Sequence, residues 1–218
     1  MSGSIERRTL TVARTARYHV LESAGPACRE AWFVLHGYGQ LAAPFLESFR
    51  ALASPARCLV APEALSRFYL RRGTGEVGAS WMTKEERADE IADTVRYLDL
   101  VAERVLGERA GELRLHVLGF SQGAAAAARW AALGRARIER VTLWGSGFPL
   151  DLDLSAHGAR LRGVRWTFVL GELDESVDHA AIERDLERLR AAGLASELRS
   201  FAGGHELDRD VLRDLSAR

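Results

Sequence analysis

The chain has 218 residues, 47% of them apolar, and 30 basic side chains balanced by 30 acidic ones. That length suits one domain with a sizeable buried core. A net charge of zero excludes the broad basic footprint that nucleic acid or an anionic membrane surface requires.

Lys84 is the only lysine and asparagine is absent, a usage that genomic base bias explains as well as an ion-pair-rich surface does. Cys28 and Cys58 have no metal-type Cys/His spacing around them and read as small buried hydrophobes. The opening Met-Ser-Gly-Ser-Ile-Glu-Arg-Arg lacks the apolar core of a signal peptide, and no apolar run is long enough to span a bilayer. A cytoplasmic protein without stable membrane insertion is therefore expected.

Residues 9–14 and 17–21 read as two opening strands, and residues 31–35 as a buried strand ending at His36-Gly37. Pro44 suits the first turn of a helix over residues 44–53. Residues 57–61 form the next strand, stopped by Pro62. Residues 63–82 carry glycine, arginine and aromatic residues without a clear period, which predicts a long surface excursion, and loops of that length are often functional. A capping-box-like start at Thr83 leads into Ile91, Val95, Leu98, Ala102 and Val105 at helical spacing. Residues 113–118 predict another buried strand, followed by a glycine-flanked serine and an alanine-rich helix to about Leu133. Strands follow at 140–144 and 165–170, a charged helix at 178–192, a last strand at 197–201 and a short final helix. This alternation predicts a mostly parallel central sheet with helices on both faces, in a single α/β domain over residues 1–218.

The sharpest chemical signal is Gly119-Phe120-Ser121-Gln122-Gly123, between a strongly apolar strand and a helix. G-x-S-x-G at a strand-to-helix corner lets the serine project above the sheet, because glycines remove the side chains that would clash. The helix N-terminus beside it favours developing negative charge. Read alone, the turn is equally a serine capping a helix. In the fold that such a corner belongs to, the α/β-hydrolase fold, the order is serine, acid, histidine, each after a later strand. His19, His36 and His116 precede Ser121 and are excluded by that order. His157 lies in a polar connection and His179 opens a helix. His205 follows the last strand in Gly203-Gly204-His205, where two glycines let the loop turn back over the sheet. The acid is expected after the strand at 165–170, where Glu172, Asp174, Glu175 and Asp178 are all present. Asp174 is the choice, since Glu172 lies too close to the strand and Asp178 suits a helix cap. One oxyanion-hole donor is the Gln122 backbone N–H, and the glycine-rich His36-Gly37-Tyr38-Gly39-Gln40 loop supplies the second at Tyr38.

The chain resembles the phospholipase/carboxylesterase family of small serine hydrolases, which includes the acyl-protein thioesterases. The resemblance runs from about Trp32 to Leu212. It is carried by Leu-His-Gly-Tyr-Gly, Ala-Pro-Glu-Ala-Leu-Ser-Arg-Phe-Tyr, Ser-Trp-Met-Thr-Lys-Glu-Glu-Arg, Gly-Phe-Ser-Gln-Gly, Gly-Glu-Leu-Asp-Glu-Ser-Val and Gly-Gly-His-Glu-Leu. It implies Ser121 as nucleophile, Asp174 and His205 as its partners, Tyr38 and Gln122 at the oxyanion hole, and Trp81 near the acyl pocket. Two departures bear on substrate: many members continue the acid motif with Val-Val-Pro, whereas Val177 is followed by Asp178, and Gln40 stands where thioesterases of the family usually carry an acid. Phe68, Tyr69, Trp81 and Met82 are candidates for an acyl pocket, with packing beneath a loop as the alternative. Arg67, Arg71 and Arg72 read as a solvated face or as an attraction for acidic substrates.

The expected activity is hydrolysis of carboxylic esters with small to medium acyl chains, through a Ser-His-Asp triad and an acyl-enzyme. It needs neither metal nor organic cofactor. The competing readings are an acyl thioesterase, a lysophospholipase, and a non-catalytic ligand-binding protein of the same fold. The expected partner is a small-molecule ester rather than nucleic acid, and a homodimer is compatible with the chain.

Overall fold

The computed structural model describes residues 4–21 and 25–217, with no side chain described for Ala110. Seven strands form one sheet: β1 (Tyr18–Leu21), β2 (Glu30–Leu35), β3 (Arg57–Pro62), β6 (Arg114–Phe120), β7 (Arg140–Trp144), β8 (Arg165–Gly171) and β9 (Ser196–Phe201). Their spatial order is β1-β3-β2-β6-β7-β8-β9. β1 runs antiparallel on β3, with Val20 opposite Val60, and every other neighbouring pair is parallel. The inner strands are near-continuous apolar runs because helices cover both of their faces.

Helices α1 (Ala42–Glu47) and α6 (Arg209–Ser216) pack on one face. There Trp32, Val34, Phe45, Phe49, Leu118, Trp144 and Leu212 form a core. On the other face lie α2 (Arg87–Leu106), α3 (Gln122–Leu133), α4 (Leu154–Leu161) and α5 (His179–Ala191). Phe33, Leu98, Val117, Trp130, Leu143, Trp166 and Phe168 fill that larger core. The alanines of α3 are mostly buried, and small side chains let this helix lie close against β6 and β7. Asp153, Asp178 and Asp208 cap α4, α5 and α6 by accepting from backbone N–H groups.

The structure departs from the sequence expectations in several places. Residues 9–14 form no strand, and Leu10 and Val12 are exposed. A period-2 apolar pattern holds a strand only where a neighbouring edge accepts it. The helix expected over 44–53 is split into α1 and a 3₁₀ turn at Arg50–Leu52. The excursion contains a hairpin, β4 (Ser66–Tyr69) paired antiparallel with β5 (Val77–Ser80). Thr83 does not cap α2; the helix starts after Glu86, whose φ of +47° marks a left-handed residue, while Glu90 reaches back to the Thr83 N–H. The polar connection around His157 is the helix α4.

Cys28 and Cys58 are buried free thiols, and burial pushes Cys58 up to about 12. Among the described residues no helix is long and apolar enough to cross a membrane.

Candidate active site

The loops after β2, β6, β7, β8 and β9 all emerge at the carboxyl end of the parallel strands, where ligands of open α/β sheets bind. Ser121 sits between β6 and α3 with φ +53° and ψ −118°. A non-glycine residue there stores strain of order 1–3 kcal/mol. Its flanks offset this: Ser121 N–H donates to Trp144 O at 2.8 Å, and glycines admit the close crossing. A Cβ on Gly119 would lie 2.2 Å from Gly123 O, and one on Gly123 would lie 2.2 Å from Leu35 O.

His205 lies in the loop between β9 and α6, held from three sides. Trp144 Nε1 donates to Glu206 O at 2.8 Å, the Phe120 ring lies 4.8 Å from the imidazole, and Leu173 N–H donates to Gly203 O at 2.9 Å. Gly171 makes the last contact feasible, since a Cβ there would stand 2.3 Å from both Gly203 O and Gly204 O.

Asp174 follows β8, with its side chain almost wholly buried, and its Oδ2 lies 2.6 Å from His205 Nδ1. That bond places the proton on Nδ1 and leaves Nε2 as the basic nitrogen. Burial alone raises the Asp174 pKa. Hydrogen bonds from the Ser176 hydroxyl, His205 and the Ser176 amide outweigh it and hold the carboxyl below its ordinary value. Of the four carboxylates offered by the sequence, Glu172 and Glu175 are exposed and Asp178 caps α5. Ser121 Oγ makes no hydrogen bond among the described residues, and contacts of this kind often tighten only with substrate bound.

The loop after β2 is tied down by hydrogen bonds. Gly37 N–H donates to Gln40 Oε1 at 2.7 Å, and Gly39 N–H to Ala79 O at 2.9 Å. Ala79 N–H donates back to Gln40 O at 3.1 Å. His36, fully buried, braces the turn with Nδ1 at 2.8 Å from Gly37 O and Nε2 accepting from Ala64 N–H at 3.1 Å. Burial holds its pKa below the ordinary value, so the ring is neutral in both contacts. The Tyr38 and Gln122 amides donate to no acceptor among the described residues. Two such amides are what an oxyanion hole needs.

The expected pocket residues divide. Trp81 is buried, and its Nε1 donates to His36 O at 2.7 Å, so its ring packs beneath the loop after β2. The space beside Trp81 and Met82, lined also by Ile91, Thr94 and Arg129, is about 10 Å³, too small for an acyl group. Phe68 packs on the exposed ring of Tyr38 with centroids 5.1 Å apart, beside the loop after β2, and Tyr69 is exposed. Arg67 reaches the buried carboxylate of Glu63, which Arg17 and the Ala42 N–H also hold. It is therefore partly neutralised, whereas Arg71 and Arg72 stay exposed.

Sequence reasoning missed the Gln122 side chain. Its Oε1 accepts from Trp81 N–H at 3.0 Å, and its Nε2 donates to Met82 O at 2.8 Å and Ser80 Oγ at 3.1 Å. The end of the hairpin is thereby tied to the residue after Ser121. It also passed over Ser176, whose place two residues after an aspartate is a signal for a side-chain turn. Among the described residues no group of three or more His, Cys, Asp or Glu side chains is placed to hold a metal ion.

A mostly parallel sheet flanked by helices, with a serine on a strained strand-to-helix corner, defines the class: an α/β-hydrolase fold. A family model described as Phospholipase/Carboxylesterase matches residues 17–217, and the chain belongs to that family of hydrolases. A sequence search of curated proteins returns no match. Among solved structures it is similar to acyl-protein thioesterase 2 of Zea mays, at 20% identity and a TM-score of 0.68, covering 93% of this chain and 99% of that one. It is also similar to a carboxylesterase from Mesorhizobium loti, at 22% identity and a TM-score of 0.71, covering 93% and 94%. A third similar structure is SOBER1 of Arabidopsis thaliana, at 17% identity and a TM-score of 0.71, covering 87% and 97%.

Proposed function

We propose that Ser121, His205 and Asp174 form a catalytic triad that hydrolyses carboxylic esters with small to medium acyl chains. The observation that carries this reading is the His205–Asp174 pair, 2.6 Å apart, in the loops beside the strained Ser121 corner. His205 Nε2 takes the proton of Ser121 Oγ as the oxygen attacks the ester carbonyl. The carbonyl oxygen becomes negative and is held by the Tyr38 and Gln122 amides. Collapse expels the alcohol, which receives the proton from Nε2, and leaves Ser121 acylated. Water, deprotonated by the same nitrogen, then attacks the acyl-enzyme and releases the acid. Asp174, kept ionised by its donors, stabilises the imidazolium formed in each half.

The small space beside Trp81 and Met82 supports a short acyl group, with the exposed Tyr38 ring and Phe68 as the apolar surface it would lie against. Hydrolysis of p-nitrophenyl esters of increasing acyl length tests the proposal. Wild type is expected to show an optimum at short to medium chains, and Ser121→Ala to lose about 10⁴-fold or more in kcat. A fluorophosphonate should label wild type at Ser121. Retained turnover in Ser121→Ala rejects the triad, and a preference for long acyl chains or thioesters transfers the assignment to a lysophospholipase or thioesterase.

A further inference from the structure

Ser176 lies in the acid loop, two residues after Asp174, and its hydroxyl touches both partners of the nucleophile. Its Oγ donates to Asp174 Oδ1 at 2.5 Å and lies 2.9 Å from His205 Nδ1. The Ser176 amide donates to the same Oδ1 at 3.0 Å. The protons fit one assignment. The single hydroxyl proton goes to Oδ1, the carboxylate has none to give, and His205 Nδ1–H is shared between Oδ2 and the lone pair of Ser176 Oγ.

We infer that Ser176 is a positioning residue for the reaction, closing a three-membered hydrogen-bonded ring with Asp174 and His205 that fixes the imidazole for proton transfer. The inference rests on the triad reading above. With two donors on Oδ1, the carboxylate is held in one rotamer and Oδ2 is directed at the imidazole. The hydroxyl oxygen then gives Nδ1–H a second acceptor, which limits rotation of a ring that is otherwise accessible to solvent. The ring closes when the loops after β8 and β9 come together, as the Glu172 N–H to Phe201 O and Leu173 N–H to Gly203 O bonds hold them. A hydrophobic residue at this position would leave the carboxylate with one donor fewer and the histidine with one acceptor.

The test compares Ser176→Ala and Ser176→Thr with wild type and Ser121→Ala. Measured are ester hydrolysis, the labelling rate of Ser121 by a fluorophosphonate, and the low-field proton resonance of His205 Nδ1–H. Ser176 is exposed, so neither substitution should unfold the chain, and thermal melting checks this. In Ser176→Ala, kcat is expected to fall about tenfold with KM nearly unchanged, the size of effect one charge-assisted hydrogen bond carries. Labelling should slow in parallel and the Nδ1–H resonance should move. Ser176→Thr keeps the hydroxyl and should restore most of all three. Wild-type kcat and an unmoved resonance in Ser176→Ala overturn the inference. So does a loss of activity that leaves the resonance in place and is not restored by threonine, because that marks loop packing alone. Activity retained in Ser121→Ala would instead reject the triad itself.

Discussion

Single residues here are constrained by what has to pass close to them. Gly145, directly after β7, has φ +63°, and a Cβ built there would lie 2.9 Å from His205 Cε1 and 3.0 Å from its Nδ1. Gly145→Ala is therefore expected to strain the turn and push the imidazole out of line, and a misplacement of about 1 Å costs on the order of 10²-fold in rate. Most of that loss should appear in kcat, with a fall in stability of roughly 1–2 kcal/mol from the left-handed backbone. Parallel rate measurements and urea unfolding separate the two effects, and a variant with wild-type kcat would show that His205 tolerates the contact. At this scale much was legible in sequence, because glycine has few other reasons to recur at strand ends. Gly119, Gly123 and the glycines before His205 announced close approaches. What each glycine made room for was not legible: Gly171 faces a loop thirty-two residues further along the chain, and only the fold brings Gly203 to it.

At the scale of elements, the β4–β5 hairpin and the strand-to-helix corner act as one unit. Gly78 has no side chain because a Cβ there would fall 2.4 Å from Gly39 O, so the hairpin lies directly on the loop after β2. Gln122 completes the join through Trp81, Met82 and Ser80. Gln122→Ala keeps the Gln122-position amide but removes these bonds. It is expected to lower kcat/KM by about 10- to 100-fold, as each lost partner leaves a polar group to re-solvate and the hairpin loosens. Hydrogen exchange at the Ala79 and Trp81 amides should accelerate while the helices of the large core stay protected. Unchanged exchange there would mean that the hairpin is held by its strand contacts with the loop alone. The sequence marked residues 63–82 as an excursion but gave no period from which to read a hairpin. Its strands have four residues each; β4 alternates between half-buried and exposed, and β5 is held by backbone bonds between Ala79 and the loop after β2.

For the whole molecule, stability toward acid depends on what the sheet buries away from the site. His116 on β6 is 3% exposed, packs 5.1 Å from the Trp32 ring, and has no hydrogen-bond partner at either nitrogen among the described residues. Burial lowers its pKa from the ordinary 6.5 to about 4, against the opposing pull of Glu30 and with Arg140 adding to the fall; Glu139 and Arg114 contribute less. A base with a depressed folded pKa binds fewer protons folded than unfolded. Stability is therefore full above about 6.5 and declines as pH falls toward about 4. The decline from this one group reaches roughly 3 kcal/mol. His36, buried and likewise depressed, acts in the same direction. His116→Leu is expected to flatten the urea midpoint between pH 6.5 and 5, above the range in which most carboxylates titrate. An unchanged slope in that window would show that the folded chain accepts a hydrogen bond from the charged His116 ring and so removes the cost of burying it.

The sequence by itself determined the alternation of strands and helices, and with it a parallel sheet, because apolar period and glycine punctuation are local properties of the chain. It also placed Ser121, Asp174 and His205 each in a connection directly after a strand, since strand order fixes those places once the strands are known. Tertiary structure decided the rest. Residues 9–14 carry a strand pattern but pair with nothing among the described residues, Trp81 is tied to His36 O beneath the loop after β2, and Ser176 becomes a neighbour of His205 twenty-nine residues away. Each of these outcomes depends on a partner distant in the chain, and no local pattern encodes the presence of that partner.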